Sequence, residues 1–106
     1  MVTTVGRGEV WWVEDPTVGR RPYLVLTRDA AIPVLRNIVG VPATRTIRGL
    51  PSEVVLTEDD GMPARCALSF DNVTVLPKAF FVERICRLEP ARLVAARQAL
   101  GVALGC

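Results

Sequence analysis

The chain has 106 residues, of which 50% are apolar and 23% charged, and its formal net charge is +2. This length predicts a single domain, spanning residues 1–106, because two domains would each be too small to bury a stable core. The sequence contains no histidine, which excludes the imidazole acid–base chemistry of many ribonucleases, Ser-His-Asp hydrolases and metal hydrolases.

The first predicted element is a β-hairpin. Residues 8–14 (GEVWWVE) and 22–27 (PYLVLT) are rich in the β-branched and aromatic side chains typical of strands. Asp15, Pro16 and Gly19 lie between them and supply the turn chemistry expected where two antiparallel strands meet.

Five more strands are predicted further along the chain. Their segments are short and separated by turn residues, which favours a strongly bent sheet or small barrel over a parallel α/β sheet. The segments are residues 37–42 (NIVGVP), 52–57 (SEVVLT), 65–69 (RCALS), 73–76 and 82–86.

A helix is predicted at the C-terminal end, where the apolar period changes. Glu89 can cap this helix and Pro90 suits its first turn. Apolar side chains then recur at helical spacing, at Leu93, Ala96, Leu100 and Leu104. The expected fold class is therefore mainly β with a C-terminal helix (α+β).

The cysteines and the apolar content bear on the cellular environment and the assembly. Three cysteines without any histidine argue against a disulfide framework and against a zinc site, so Cys66 and Cys86 are expected in the core and Cys106 in an exposed tail. The apolar content predicts a subunit interface, with a monomer of unusually rich core as the alternative. No segment suits a membrane span or a signal peptide, so a cytoplasmic location is expected.

Charged residues are unevenly distributed. Between positions 20 and 48 there are six arginines and one acid, Asp29. Arginine pairs bidentately with phosphate and stacks on bases, so the segment predicts a phosphate-bearing or acidic partner, with a solvated basic face as the alternative. Glu58, Asp59 and Asp60 precede turn residues and are interpreted as a solvated turn, so we predict no metal site and no cofactor.

Polar side chains flank two of the predicted strand ends. They are Arg20 and Arg21 before the second strand, and Thr44, Arg45, Thr46 and Arg48 after the third. RNA carries its own 2′-hydroxyl nucleophile, so a fixed guanidinium that stabilises the phosphorane and a hydroxyl that holds a phosphate oxygen would suffice for cleavage. The alternative is that Thr44 only ends a strand and Arg21 is a surface cation.

Four segments around these residues together resemble one protein family. They are RGEVWWV at 7–13, RPYLVLT at 21–27, VPATRTIRGLPSEVV at 41–55, and Asp71, Asn72 and Val73 within SFDNVTVLP. Their order and spacing, with the terminal helix, are similar to those of the MazF/PemK toxins over nearly the whole chain.

The resemblance implies a homodimer of SH3-like barrels, the fold shared by MazF, PemK and the gyrase poison CcdB. It implies a metal-independent endoribonuclease that cuts single-stranded RNA, inhibits growth, and leaves a 2′,3′-cyclic phosphate and a 5′-hydroxyl. It also implies a cognate antitoxin with an acidic, partly disordered tail. The family's catalytic arginine and threonine fall on Arg21 and Thr44. Arg21 would then stabilise the phosphorane charge and protonate the leaving 5′-oxygen, and Thr44 would hydrogen-bond the scissile phosphate.

Further residues are candidates for contact with RNA through charge and stacking. They are Arg20, Arg45, Thr46, Arg48, Trp11, Trp12, Pro16 and Thr17. Core packing is an equal alternative for the tryptophans, because adjacent strand residues face opposite sides and one of the two should point inward.

The segment between the first two strands departs from the family pattern. Only residues 15–20 separate them, where many family members have a longer loop that shapes the substrate groove. The general base is therefore unassigned, with Glu14 and Asp15 as weak candidates, and the cleavage motif is open. Two rival functions remain on the same fold: a CcdB-like gyrase poison and a catalytically inactive RNA-binding barrel.

Overall fold

The computed structural model describes residues 4–106, and over that range the chain forms seven β-strands and one α-helix. The strands are β1 (Glu9–Asp15), β2 (Gly19–Val25), β3 (Asn37–Thr44), β4 (Glu53–Leu56), β5 (Cys66–Ser69), β6 (Thr74–Pro77) and β7 (Phe81–Arg87). The helix, α1, is Pro90–Leu104. Every element predicted from the sequence is therefore present, and the differences concern where the elements begin and end.

All strand pairs are antiparallel, and β3 is the strand around which the sheet bends. The strand order is β4-β5-β3-β2-β1-β7, and β6 also pairs with β3. The first half of β3 pairs with β6, whereas Ala43 and Thr44 at its end pair with β5. Because β6 pairs with the first half of β3 and β5 pairs with its end, the sheet curves along β3. The start of β2 and the end of β3 lie together at one end of the sheet.

The curved sheet has an apolar cluster on each side. The first, covered by α1, includes Val10, Leu24, Val41, Leu56, Leu68 and Phe70. The second includes Trp11, Val13, Tyr23, Val25, Ile38 and Phe81. Successive residues of β1 and β2 alternate between the two clusters, as the period of a strand requires. Each large side chain buried in this way contributes roughly 1.5–3 kcal/mol to folding.

Among the strand boundaries that differ from the prediction, two bear on the candidate site. β2 begins at Gly19 instead of Pro22, so Arg20 and Arg21 are strand residues that pair with Glu14 and Val13 of β1. β3 extends to Thr44 instead of ending at Pro42. β2 pairs with β1, and the end of β3 pairs with β5, so both strands extend beyond the apolar residues from which they were predicted.

The helix differs from its predicted pattern at both ends. Glu89 occupies the N-cap position, with Pro90 in the first turn as predicted, but the Glu89 side chain makes no capping hydrogen bond. Leu104 is 59% exposed and does not reach the core, which was predicted wrongly. The small side chains of Ala96 and Ala99 are buried instead and allow α1 to lie close to the sheet.

The cysteines lie at three different depths. Cys66 is buried, Cys86 is half-buried against the first apolar cluster, and Cys106 is exposed. The expectation for Cys66 and Cys106 is thus confirmed, and Cys86 is only partly in the core. None of the helices formed by residues 4–106 has the length and apolar content needed to cross a membrane.

Candidate active site

Arg21, near the start of β2, and Thr44, at the end of β3, lie side by side. Tyr23 pairs with Pro42, and extending that register by two residues brings Arg21 opposite Thr44. Both residues line a wide cleft of about 350 Å³ and an adjoining narrow cleft of about 110 Å³. The two residues that the sequence pointed to are thus brought together, at the junction of two clefts.

The wide cleft combines apolar side chains with arginines. Its other lining residues are Trp12, Arg20, Pro22, Ala43, Arg45, Met62, Pro63, Ala64 and Cys66. Trp12 is half-buried, whereas its neighbour Trp11 is buried and donates its indole N–H to Glu9 Oε1 at 3.0 Å. The expectation that one of the two tryptophans points into the core is confirmed for Trp11, and Trp12 is left as the aromatic surface of the cleft.

Arg20 and Arg21 are adjacent but differ in their electrostatic partners. Arg20 donates to Glu14 at 2.7 Å and to Glu83 at 3.0 Å, and its guanidinium carbon lies 4.7 Å from the centre of the Trp12 ring. Arg21 is exposed and makes no ion pair with any residue of the described range 4–106. Arg21 therefore retains a charge free for an anion, whereas the charge of Arg20 is already balanced.

Thr44 is half-buried, and its hydroxyl is fixed by the turn that follows it. The backbone N–H of Thr46 donates to Thr44 Oγ1 at 3.1 Å. The oxygen is thereby used as an acceptor, so the hydroxyl hydrogen can be donated to a group in the cleft. Thr44 is suited to hold a phosphate oxygen.

The narrow cleft is polar and combines arginines, neutral polar groups and one acid. Besides Arg21 and Thr44, its lining residues are Pro42, Thr46, Arg48, Glu53, Ser69 and Asn72. The Asn72 amide donates to Ser69 Oγ at 2.8 Å, which fixes the amide's orientation. The sequence did not indicate that Glu53 and Ser69 line this cleft, because β5 pairs with β3, and β4 with β5, over long separations in sequence.

One wall of the wide cleft is the turn after β4. Thr57 and Asp60 form a reciprocal capping box, so this turn is ordered. Gly61 follows with φ +97°, and a Cβ there would lie 2.7 Å from Cys86 Cβ, so only glycine fits. Met62 is buried beyond it, which places Pro63 and Ala64 along the cleft. No sequence signal marked these three residues, because a turn carries no periodic pattern.

Asp60 ties this wall to the helix. Its carboxylate accepts from Arg92 Nε at 2.9 Å and from the Thr57 backbone at 2.9 Å, and only 12% of its side chain is exposed. Burial pushes the pKa of Asp60 upward, but these hydrogen bonds and the Arg92 charge together hold the pKa below its ordinary value of 3.8. The interpretation of residues 58–60 as a solvated turn fits Glu58 and Asp59, which are exposed, whereas Asp60 is half-buried and has a structural role.

Cys66 lines the wide cleft from beneath. Burial raises the pKa of its thiol, as does the nearby Asp60 charge, and these effects outweigh the opposing charge of Arg45. A neutral thiol is a poor nucleophile at neutral pH. Cys66 thus adds a small, weakly polar surface to the cleft, not a reactive group.

Four residues considered from the sequence lie outside both clefts. Pro16 and Thr17 are exposed at the tip of the β1–β2 hairpin and line neither cleft. Asp15 accepts a hydrogen bond from the Thr17 backbone at 2.8 Å, and Glu14 pairs with Arg20. Neither Glu14 nor Asp15 is therefore placed to accept a proton from a molecule bound at Arg21 and Thr44.

Comparisons with known proteins bear on this arrangement. The model of a family described as PemK-like, MazF-like toxin of type II toxin–antitoxin system matches residues 6–104. The chain is 49% identical to the probable endoribonuclease MazF5 of Mycobacterium tuberculosis, over 100% of this chain and 98% of that protein. It is also similar to a solved M. tuberculosis toxin, MazF-mt6, with a TM-score of 0.84, 29% identity, and coverage of 92% of this chain and 96% of the other.

A second solved structure adds information about a partner. It is an endoribonuclease from a mycobacterial species in complex with its cognate antitoxin, and it matches with a TM-score of 0.84 and 27% identity over 95% of each chain. These structural matches confirm the predicted fold class, mainly β with a C-terminal helix of the MazF type, and the sheet is an antiparallel half-barrel.

Proposed function

The chain belongs to the PemK-like, MazF-like toxin family of type II toxin–antitoxin systems and is a MazF-type endoribonuclease, and from this premise we propose that it cuts single-stranded RNA at Arg21 and Thr44 without a metal ion. The observation that carries the proposal is the position of this pair, side by side at the junction of the two clefts. An RNA strand lying along both clefts would cross the pair with its scissile phosphate between them.

Arg21 stabilises the transition state in this proposal. The substrate's 2′-oxygen attacks the phosphorus as the bond from phosphorus to the 5′-oxygen breaks, and the 2′-proton passes to water. The unpaired guanidinium of Arg21 donates hydrogen bonds to the phosphorane oxygens and to the leaving 5′-oxygen, and that oxygen takes up a proton from water. The products are a 2′,3′-cyclic phosphate and a 5′-hydroxyl. Arginine remains charged at any relevant pH, so it acts by electrostatics and geometry rather than by titration.

Thr44 orients the phosphate. Its hydroxyl hydrogen is directed away from the acceptor contact with Thr46, so it can donate to a non-bridging phosphate oxygen. Holding that phosphate beside Arg21 keeps the 2′-oxygen, the phosphorus and the leaving oxygen in line, which is a large part of the rate enhancement available to a nuclease with no nucleophile of its own.

The two clefts divide the substrate between them. A volume of about 350 Å³ is within the roughly 300–1,000 Å³ of pockets that enclose small organic groups, and Trp12 offers a face for stacking. We assign one nucleobase to this wide cleft, between Trp12 and the wall formed by residues 62–64. The narrow cleft is too small for a base and carries Arg48 and Thr46, so it receives the sugar–phosphate backbone.

A cognate antitoxin and a second copy of the chain complete the proposal. The antitoxin's acidic, partly disordered tail would fold across the clefts, where Arg21, Arg45 and Arg48 have no ion pairs with residues of the described range. Relatives solved in complex with their antitoxins support the existence of such a partner, including a MazE–MazF complex from Deinococcus radiodurans. We propose a homodimer as the active form.

The test is cleavage of a long single-stranded RNA by purified protein in excess EDTA, with the product ends mapped. Arg21→Ala and Thr44→Ala are compared with Arg97→Ala, which removes an exposed arginine of α1 that lies far from both clefts in sequence and lines neither of them. We expect discrete cuts by the wild type and by Arg97→Ala, and loss of those cuts in the other two variants.

Three other results would each contradict part of the proposal. RNA affinity that falls with salt, without any cleavage by folded wild-type protein, would indicate an inactive RNA-binding barrel. Growth inhibition that persists in Arg21→Ala, with no RNA cut, would indicate a poison of the gyrase-binding kind. Cleavage that requires a divalent metal ion would contradict the metal-independent chemistry.

A further inference from the structure

The narrow cleft contains an acid where a phosphate is expected. Glu53, the first residue of β4, lines this cleft together with Arg21, Thr44 and Arg48. A carboxylate in a groove that binds a polyanion opposes binding through like-charge repulsion. Its presence there requires a physical reason.

The contacts of Glu53 supply that reason. Its Oε1 accepts hydrogen bonds from three consecutive backbone N–H groups, those of Arg48 at 3.1 Å, Gly49 at 3.0 Å and Leu50 at 3.3 Å. Gly49 has φ +70°, a left-handed conformation that glycine adopts at little cost and that turns successive N–H groups toward one point. The negative charge therefore faces a concave set of backbone dipoles.

The same turn leads from the candidate catalytic threonine to the basic side chain of the cleft. Thr44 lies at its start and accepts from Thr46, and Glu53 closes its end by holding residues 48–50. Arg48 is exposed, lines the cleft, and forms no ion pair with Glu53 or any other residue of the described chain. Glu53 thus fixes the backbone of Arg48 without neutralising its guanidinium.

We propose that Glu53 is a positioning residue, which holds the 48–50 turn so that Arg48 binds the RNA phosphate next to the scissile one. This inference rests on the proposed function. Glu53 acts through the backbone and touches no reacting atom. Its effect should therefore appear in KM and in the number of phosphates bound, and leave kcat nearly unchanged.

The experiment compares two conservative changes that alter different properties of Glu53. Glu53→Gln removes the charge but keeps an oxygen at the same reach, so the three N–H groups keep an acceptor. Glu53→Asp keeps the charge but shortens the side chain, so the acceptor is withdrawn. Steady-state cleavage of a short fluorogenic RNA is measured at several salt concentrations, with Arg48→Ala and the double variant Glu53→Asp/Arg48→Ala alongside.

We expect Glu53→Asp to raise KM about tenfold, the effect of losing charge-assisted hydrogen bonds, with kcat nearly unchanged. The slope of log(1/KM) against log salt should decrease in magnitude by about 0.7, one phosphate contact to a single strand. Arg48→Ala should change KM and the salt dependence by similar amounts. KM of the double variant should be no higher than that of either single variant. Glu53→Gln should keep KM within about threefold of the wild type.

Several results would overturn the proposal. An unchanged or lower KM in Glu53→Asp, or additive effects in the double variant, would show that Glu53 does not act through Arg48. Loss of kcat in Glu53→Gln would make Glu53 a proton acceptor instead. Glu58→Asp is the matched control, because it is an equally conservative change at an exposed acid outside the cleft. The melting temperature of every variant is measured to check that the variant is folded. Absence of cleavage by the wild type would refute the proposed function itself, a result separate from all of these.

Discussion

Two adjacent arginines of β2 illustrate how surroundings, and not residue type, decide what a charge can do. Arg20 is balanced by Glu14 and Glu83 and rests against Trp12, whereas Arg21 has no acidic partner within residues 4–106. Both were candidates from the sequence, because neither pairing is visible without the register of β1, β2 and β7. The difference assigns Arg20 to shaping the wide cleft and leaves Arg21 for the phosphate.

The first residue-scale prediction concerns the shape of the guanidinium. Arg21→Lys keeps a positive charge but loses the planar fork that donates two parallel hydrogen bonds to phosphate oxygens. We expect kcat to fall by about 10²–10³, the usual effect of removing a transition-state donor. Single-turnover cleavage measures this directly. Arg20→Lys is the matched control and should retain most activity; full activity in Arg21→Lys would mean that charge alone is enough.

A second residue-scale prediction concerns base stacking on Trp12. Trp12→Ala should raise KM roughly 5- to 150-fold, the equivalent of about 1–3 kcal/mol for one stacked base, while Trp12→Phe should lose much less. KM for a short RNA gives the measurement, and circular dichroism checks the fold. If Trp12→Ala bound and cut RNA like the wild type, the nucleobase would have to lie elsewhere.

At the scale of elements, the sequence predicts strands well and turns poorly. Periodicity located all seven strands and α1 of the described chain to within a few residues, because alternating apolar side chains must face the two clusters. It missed the first three residues of β2, where polar side chains pair with β1 at an exposed end.

Site residues on strands could likewise be predicted from the sequence, whereas those that depend on turns could not. Arg21 and Thr44 could be named because they flank recognisable strands, and their pairing follows from the order of β2 and β3. The wall formed by residues 62–64 and the role of Glu53 could not, because both depend on turns folding against strands far away in sequence. Pro16 and Thr17 were included because they lie in the hairpin turn, but neither residue lines either cleft.

The element-scale prediction tests the link between the turn after β4 and the helix. Arg92→Ala removes the partner of Asp60, a partly exposed pair worth up to about 1 kcal/mol, so the melting temperature at pH 7 should fall by at most roughly 4–8 °C. Arg97→Ala, on the same helix without an ion pair in residues 4–106, should change it little. An equal loss in both variants would exclude a specific role for the pair.

The pH dependence of that difference has a definite sign. The pKa of Asp60 is lower in the folded protein than its ordinary 3.8, so its contribution to stability is present above about pH 4 and is lost as the pH falls through the folded value. The gap in melting temperature between wild type and Arg92→Ala should therefore be constant from pH 5 to 7 and shrink below about pH 4. A gap that widened in acid would contradict this assignment.

At the scale of the whole molecule, exposed apolar side chains remain on several elements, and one of them, Val75, lies on a strand with a free edge. Val75 in β6 is 60% exposed and pairs with the half-buried Val39 of β3. Among the described elements, β6 pairs with β3 alone, so its other edge has free backbone groups. An edge strand with an exposed apolar face can pair with a strand of another molecule. A second copy of the chain at this edge would bond the free backbone groups of β6 and bury Val75.

The whole-molecule prediction is that Val75→Asp dissociates the proposed homodimer. Light scattering should give twice the chain's 11.6 kDa for the wild type and about the single-chain mass for the variant, because a charge at a buried apolar contact is not compensated. Val102→Asp, which alters a side chain of similar exposure (52%) on α1, should remain dimeric. If Val102→Asp dissociated and Val75→Asp did not, the interface would lie on the helix and the free edge of β6 would be protected by its short length alone.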